Sequence, residues 1–488
     1  MCGFFGISDK SLIDWTNVDL EDIKERGEYQ FPFSDNQFFL YQSVLPVTGR
    51  FRGPEIFDLD NIRFSFTGEI YNAPTKGYSN DTEWLAEKLA KEDYNFDNVN
   101  GQYAISVYNK SEQTITLIRD PVGQVPLFYY NDNCLIYSNT IKSIAKVVGA
   151  KVDKNFLKRW HQIRHYTLDN THYKKIKLFP KGLIITYNMC GKPHRSRVIN
   201  PKRINDSDVF KLLKSIQHDY SSHRIQCGIV SGGVDSSIIS AMYRDSLDCH
   251  VTTVNEDKCW ASPETRNYGF STSLIEVKND EKQWCEAAVE YINKSYMVPY
   301  TWSYVGYYIM GKAVSPQVKV MVTGEGADEI FGGYDVYSTN KLSKYSLRED
   351  ENGLNHKYKQ QIAKQVSKFN NVAQANKYLD QRSFLPCAAI GANLALGMSC
   401  IESRNPFLDH SIFYNDAFVK DIGKKRLVKI FKKIFGFDPP KKQGFSGYMI
   451  ELYNHVNGTN ETIDLKDISL WKDACYQIID KIHAHNNP

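Results

Sequence analysis

The sequence predicts two domains of different class: an N-terminal α+β layered sandwich over residues 1–195 and a C-terminal α/β domain over 206–488, built on a parallel sheet with helical additions. Three observations predict this. Short β-rich runs separated by turn residues recur through the first part of the chain, as in a layered sheet protein. In the second part, the apolar run Cys227–Val230 leads into Ser231-Gly-Gly-Val-Asp-Ser-Ser237 and then Ile238–Tyr243, which reads as strand, phosphate-cradling loop and helix N-terminus. The third is length, since 488 residues suffice for two or more domains that each bury a core.

The chain opens with Met1-Cys-Gly-Phe-Phe-Gly-Ile7. Removal of the initiator methionine makes Cys2 the first residue, and a free α-amine, with a pKa of about 8, can take the proton from the thiol of its own residue. The plainer alternative is a small buried thiol. Strands are expected in Gln37–Tyr41, Ile62–Phe66, Tyr103–Tyr108 and Thr114–Ile118. Among them stand Gly68-Glu-Ile-Tyr-Asn72, Ser79-Asn-Asp-Thr-Glu83 ahead of a helical stretch, Asn100-Gly-Gln-Tyr-Ala104, and Arg119-Asp-Pro-Val-Gly-Gln-Val-Pro-Leu127.

Together with Met1-Cys-Gly3, these segments resemble, in order and spacing, the glutaminase domain of class II amidotransferases, an Ntn-hydrolase-like sandwich. The resemblance implies that Cys2 attacks the side-chain amide of glutamine and releases ammonia through a thioester. It implies that Gly68 donates a backbone amide to the oxyanion, a contribution on the order of 3 kcal/mol. Asp81 would hold the α-ammonium of glutamine, and Glu69 would help frame it. The alternative for Asp81 is a plain N-cap of a helix from Thr82 to Lys91. Two positions depart from the family: Thr67 replaces the usual asparagine, a second oxyanion donor, and Ser43 replaces the arginine that pairs with the glutamine α-carboxylate. Arg50 or Arg52, in Gly49-Arg-Phe-Arg-Gly53, could reach in its place, since a bidentate guanidinium is the natural carboxylate clamp. A solvated loop is the alternative for both.

Ile136-Tyr-Ser-Asn139 with the apolar helix after it, and the turn plus strand Phe179–Tyr187, resemble the close of that domain. Residues 190–206, with Gly191, Pro193 and Pro201, are the best linker candidate, and the boundary is placed near 195.

In the C-terminal domain, Gly232 and Gly233 let the backbone approach phosphate oxygens, the first helical amides point at them, and Ser231, Ser236 and Ser237 add hydroxyl donors. Asp235 does not suit phosphate itself and makes sense as a magnesium ligand. No G-x-x-x-x-G-K-[ST] occurs, so this is not a Walker loop. The stretch resembles instead the SGGxDS pyrophosphate loop of the enzymes that split ATP between the α and β phosphates, the ATP-pyrophosphatase type, which activate an acid as an acyl-adenylate. An ordinary serine-rich N-cap is the alternative. Cys249–Val254 is a second parallel-strand candidate, and because ligands lie at the carboxyl ends of such strands, Val230 and Val254 are placed near the adenosine.

The third strand, Lys319–Thr323, runs into Gly324-Glu-Gly-Ala-Asp-Glu-Ile-Phe-Gly-Gly-Tyr334. Three carboxylates within five residues repel one another unless a cation sits among them. The segment resembles the SGEGSDExFGGY signature of asparagine synthetases. That resemblance implies that Thr323 and Gly324 contact the nucleotide, that Glu325 organises the acyl-adenylate, and that Asp328 joins Asp235 around magnesium and pyrophosphate. Glu402-Ser-Arg-Asn-Pro-Phe-Leu-Asp409 resembles the family's ExRxPFLD, with Arg404 and Asp409 read as a structural ion pair, and Lys442-Gln-Gly-Phe-Ser446 resembles its late lysine segment. Lys442 would meet the pyrophosphate leaving group. Gly391 stands where the family commonly carries an arginine, beside the pocket for the acid.

Lysine plus arginine 60 against aspartate plus glutamate 56 gives +4, too balanced to imply a nucleic-acid partner. No long apolar span or secretory signal is seen, and 384–398 is short and glycine-broken, so a soluble, cytoplasmic chain without a membrane partner is expected. Ten scattered cysteines favour reduced thiols. The resemblance thus implies ATP and Mg2+ as cofactors and glutamine, aspartate and ATP as substrates. It implies conversion of aspartate to asparagine through β-aspartyl-AMP and channelled ammonia. The alternatives are a related amidotransferase or β-lactam-synthetase-like ligase acting on another acid, and a non-catalytic scaffold; a homodimer is left open.

Overall fold

The computed structural model describes residues 1–74, 76–153, 170–255, 273–298, 303–339, 371–440, 448–458 and 477–481, with positions 156, 258–259, 301, 367, 369 and 474–475 between them. Among the described residues the N-terminal half contributes eleven strands: β1 (Gly3–Ile7), β2 (Tyr29–Ser34), β3 (Phe39–Val44), β4 (Ile62–Ile70), β5 (Gly101–Asn109), β6 (Thr114–Arg119), β7 (Phe128–Tyr130), β8 (Ile136–Ser138), β9 (Lys177–Leu178), β10 (Leu183–Asn188) and β11 (Pro193–Val198). They form two sheets, β2-β3-β1-β8-β7-β9 and β11-β10-β6-β5-β4. Alternation of side chains along a strand sends successive residues to opposite faces. Ala104 and Tyr108 of β5 therefore meet Phe4, Leu40 and Tyr137 of the other sheet. Tyr103, Ile105 and Val107 pack on the other side with Leu85 and Leu89 of the helix Asp81–Ala90.

The second half is built on β12 (Gln226–Ile229), β13 (Cys249–Asn255), β14 (Lys258–Cys259), β15 (Ser273–Asn279), β16 (Val320–Val322) and β17 (Glu402–Arg404). The order is β14-β13-β12-β16-β17, with β15 also on β13, and every pairing except β13 with β14 is parallel. The chain leaves β12 toward β13 on one side and later returns to β16 on the other. The loops after β12 and β16 therefore flank a topological switch point, where open α/β sheets bind ligands.

Two expectations about the division of the chain are corrected. The proposed linker 190–206 contains β11, whose pairing with β10 extends the sheet β11-β10-β6-β5-β4 to Val198 and leaves only 199–208 before the helix Val209–Ser215. The halves also do not keep separate cores. Phe5, Ile7, Phe128 and Ile136 share one buried cluster with Trp284, Tyr291, Ile292 and Leu394. The segment 384–398 is the buried helix Phe384–Gly397, and among the described residues no helix is long and apolar enough to cross a membrane.

Candidate functional site

At the N-terminal site, Cys2 immediately precedes β1, and Gly68 lies within β4 at φ +124°; a Cβ there would come within 1.8 Å of the Gln102 carbonyl oxygen across the ladder, so only glycine fits. The helix Asp81–Ala90 starts beside them. Cys2, Gly68, Glu69 and Asp81 line one open pocket, with Leu45 and Thr48 on its wall. The backbone amide of Leu45 donates to the Cys2 sulfur at 3.3 Å, a donor that no sequence pattern pointed to. Burial pushes the Cys2 thiol up to about 11, against the opposing pull of the N-terminal ammonium and of the Leu45 amide. With Met1 in place the α-amine belongs to Met1, which is fully buried with its sulfur accepting from Asn393 Nδ2.

The N-cap of the helix is Asn80, whose side chain accepts from the Glu83 amide. Asp81 instead accepts from the Ile70 amide at 2.9 Å, and burial raises its carboxyl to about 6. Glu69 also faces the second half: Arg404 Nη2 donates to it at 3.1 Å and Arg404 Nε donates to Glu402 at 2.8 Å, all three side chains being almost fully buried. This corrects the expected Arg404–Asp409 pair. Asp409 accepts from Asn100 Nδ2 and from the Ser411 amide and hydroxyl.

Arg50 does not reach the pocket. It is exposed, its carbonyl is held by Asn80 Nδ2, and the neighbouring Arg52 is tied to Glu83 and Ser79 on the outside. The lining contains no arginine or lysine among the described residues, and the hydroxyl of Ser43 donates to the Ile23 carbonyl. Thr67 is buried and outside the lining. Arg26, passed over in the sequence, lies behind the thiol: its Nε donates to the Cys2 carbonyl and its Nη2 to Asn393 Oδ1.

At the C-terminal site, the loop after β12 turns through Gly232 at φ +77° into the helix Val234–Met242. The Ser231 and Ser236 hydroxyls lie 3.0 Å apart, and Ser236 also accepts from the Ser231 amide. Val230 is buried, its amide bonded to the Val251 carbonyl, while Val254 lies in β13 with its side chain outside the described residues. The loop after β16 comes against this one: a Cβ on Gly324 would sit 3.0 Å from Asp235 Cβ and 3.1 Å from the Ser236 amide nitrogen, so a glycine permits the approach. Thr323 donates to Asn405 Oδ1 at 2.6 Å, and the Glu325 amide donates back to Thr323 Oγ1. Tyr307, also unforeseen, donates its hydroxyl to Glu325 at 2.7 Å. Burial and the adjacent Asp328 push the Glu329 carboxyl up to about 8.

Asp235 and Asp328, more than ninety positions apart in sequence, meet on one ammonium, that of Lys424, which touches Asp235 Oδ2 and lies 2.6 Å from Asp328 Oδ1. Burial opposes the charge of Lys424, but the two carboxylates outweigh it and hold the ammonium above its usual range. Two oxygens that share one cation can share another, so the pair fits a divalent ion with oxygen ligands. Among the described residues no group of three or more His, Cys, Asp or Glu gathers to hold a metal, so these two would hold it with help from phosphate oxygens. Lys442 lies outside the described residues. Lys424 was missed because nothing in Gly423-Lys-Lys-Arg426 distinguishes it from a solvated basic run.

A sequence-family model described as a glutamine amidotransferase domain matches residues 1–196, and one described as asparagine synthase matches residues 212–414. The chain is 23% identical over 380 residues to a glutamine-hydrolysing asparagine synthetase of Bacillus subtilis, covering 69% of this chain and 59% of the relative. It is 24% identical over 345 residues to a putative enzyme of that name from Methanocaldococcus jannaschii, covering 65% and 61%, and 23% identical over 405 residues to a second Bacillus subtilis protein, covering 68% and 52%. The matches thus span little more than half the length of these curated relatives. A glutamine amidotransferase domain followed by an asparagine synthase domain gives the chain a two-domain architecture that matches that of the asparagine synthetase B family.

Proposed function

We propose that the protein is a glutamine-hydrolysing, ATP-dependent ligase that forms the side-chain amide of asparagine from aspartate, through β-aspartyl-AMP and ammonia. The single observation that carries this reading is the meeting of Asp235 and Asp328 on one cation at the carboxyl ends of β12 and β16. Phosphoryl chemistry between the α and β phosphates requires charge neutralisation where the diphosphate departs.

At the N-terminal site, Cys2 attacks the glutamine amide, the Gly68 amide receives the oxyanion, and Asp81 in its charged form holds the α-ammonium. Burial disfavours the Cys2 thiolate, so the thiol needs a base, and removal of Met1 would free an α-amine on the same residue to supply it. At the C-terminal site, the amides and hydroxyls of Ser231–Ser236 bind the phosphates, and Thr323 and Gly324 border the nucleotide. Glu325, oriented by Tyr307, faces the reacting acid and accepts a proton from the incoming ammonia. Asp235 and Asp328 would hold Mg2+, which when bound neutralises the diphosphate, and Lys442 would meet that same group. The small-molecule partners are glutamine, aspartate and ATP.

A second reading, the same chemistry on another carboxylic acid, is favoured by one observation. A Cβ on Gly391 would lie 2.3 Å from the ring of Tyr304, so the room an arginine takes at this place in the family is filled by an aromatic ring. Asparagine and AMP formation, followed with glutamine and again with ammonium, tests both readings. Cys2→Ala should abolish only the glutamine-dependent reaction, and Asp235→Ala should stop AMP production while leaving glutaminase. Pyrophosphate release with some other acid, but none with aspartate, would favour the second reading.

A further inference from the structure

We propose that Lys424 is the resident counter-ion of the nucleotide site: in the nucleotide-free protein its ammonium fills the one position between Asp235 and Asp328 that a divalent cation must take, so lysine and metal exclude each other.

The bridge is built into the fold. The Lys424 side chain is only 10% exposed, and its carboxylate partners are 19% and 20% exposed. Lys424 holds the left-handed φ of +53°, its amide bonds to the Phe331 carbonyl at 2.9 Å, and the Gly423 amide bonds to the Gly332 carbonyl at 2.7 Å. These contacts pin it to the Phe331-Gly-Gly-Tyr334 turn that follows Asp328. Gly333 makes the room: a Cβ there would fall 2.0 Å from Asp328 Oδ1 and 2.1 Å from Lys424 Cε. The second glycine of that turn thus lets an acid and a base occupy one spot.

Lys424 also caps the N-terminus of the helix Lys425–Phe435, where the dipole disfavours a positive charge. Among the described residues, the carboxylates of Asp235 and Asp328 compensate its placement there. Without a cation Asp235 and Asp328 would repel each other and the two loops would part; with only two protein carboxylates, they would hold free magnesium weakly. The lysine keeps the loops clasped until a nucleotide brings both the metal and the extra oxygen ligands. The displaced ammonium then stays tethered beside the phosphate loop, within reach of the diphosphate.

This rests on the loops forming a nucleotide site, but metal uptake without nucleotide is read separately from AMP formation, so either can fail alone. The test titrates the full chain with Mn2+, without nucleotide, and follows the paramagnetic resonance of the free ion. Lys424→Met should bind Mn2+ at least about tenfold more tightly than the parent, because a like charge leaves the ligands. Lys424→Arg should behave as the parent, and adding Asp328→Asn to Lys424→Met should erase the gain. No gain in Lys424→Met, or a gain that survives Asp328→Asn, overturns the proposal. Should Lys424→Met not fold, the unmutated chain decides: acylation of Lys424, read by peptide mass spectrometry, should rise as millimolar Mn2+ saturates, and an unchanged rate overturns the exclusion.

Discussion

At the scale of single residues, the N-terminal pocket turns on one glycine and one carboxylate. Gly68→Ala forces a side chain into the Gln102 carbonyl from a φ of +124°, so the variant should lose at least about 2 kcal/mol of stability, seen as a lowered Tm, together with its glutaminase activity. Asp81, raised to about 6 by burial, must be charged to hold an ammonium. As pH falls through that value the carboxylate is neutralised, so the KM for glutamine should climb about tenfold per pH unit while ammonium-dependent synthesis does not show this loss. A flat KM between pH 7 and 5 would remove Asp81 from that role. That Cys2 and Gly68 share one pocket, and Asp235 and Asp328 one cation, was legible because their motifs are contiguous and end at neighbouring strands. Arg50 was misplaced because the sequence does not encode which way a loop side chain points; Asn80 and Glu83 turn that loop outward.

At the scale of elements, the strands were legible wherever apolar runs sat between turn residues: the expected Ile62–Phe66 and Tyr103–Tyr108 lie within β4 and β5. The segment 190–198 was not, since the six residues of β11 are all exposed and basic side chains with a leading proline imitate a linker. In the helix Val372–Arg382, Lys377 and Asp380 are buried, with Asp380 accepting the Tyr337 hydroxyl. Strand β17 is only three residues long, but it delivers Arg404 between Glu69 and Glu402. Arg404→Met strands two buried carboxylates, a loss of about 3–5 kcal/mol. Glu69, already raised well above its usual range by burial and Asp81, would then be protonated in the folded state at a pH where the unfolded chain has lost that proton. The folded variant binds more protons, so its Tm should rise as pH is lowered from 8 to 6, more than the parent's does. A parallel pair of profiles would show that the triad carries no net charge stress.

At the scale of the whole molecule, the halves are joined through their interiors. Tyr71 stacks on Tyr220 at 4.0 Å, Gln102 donates to the Ser403 carbonyl, and Arg26 reaches Asn393. A fragment of residues 1–198 should therefore bind a hydrophobic dye strongly and fail to melt cooperatively, because Phe5, Ile7, Phe128 and Ile136 lose the partners that cover them. Sequence reading missed this seam, since apolar positions reveal that they are covered but not by which half. The shared core also constrains descent. An ancestor that exchanged its front half for a cousin's would have had to import the matching surface of the back half, so the two must be inherited together, and chimaeras cut at Val198 should work only when Trp284, Tyr291 and Asn393 travel with the insert.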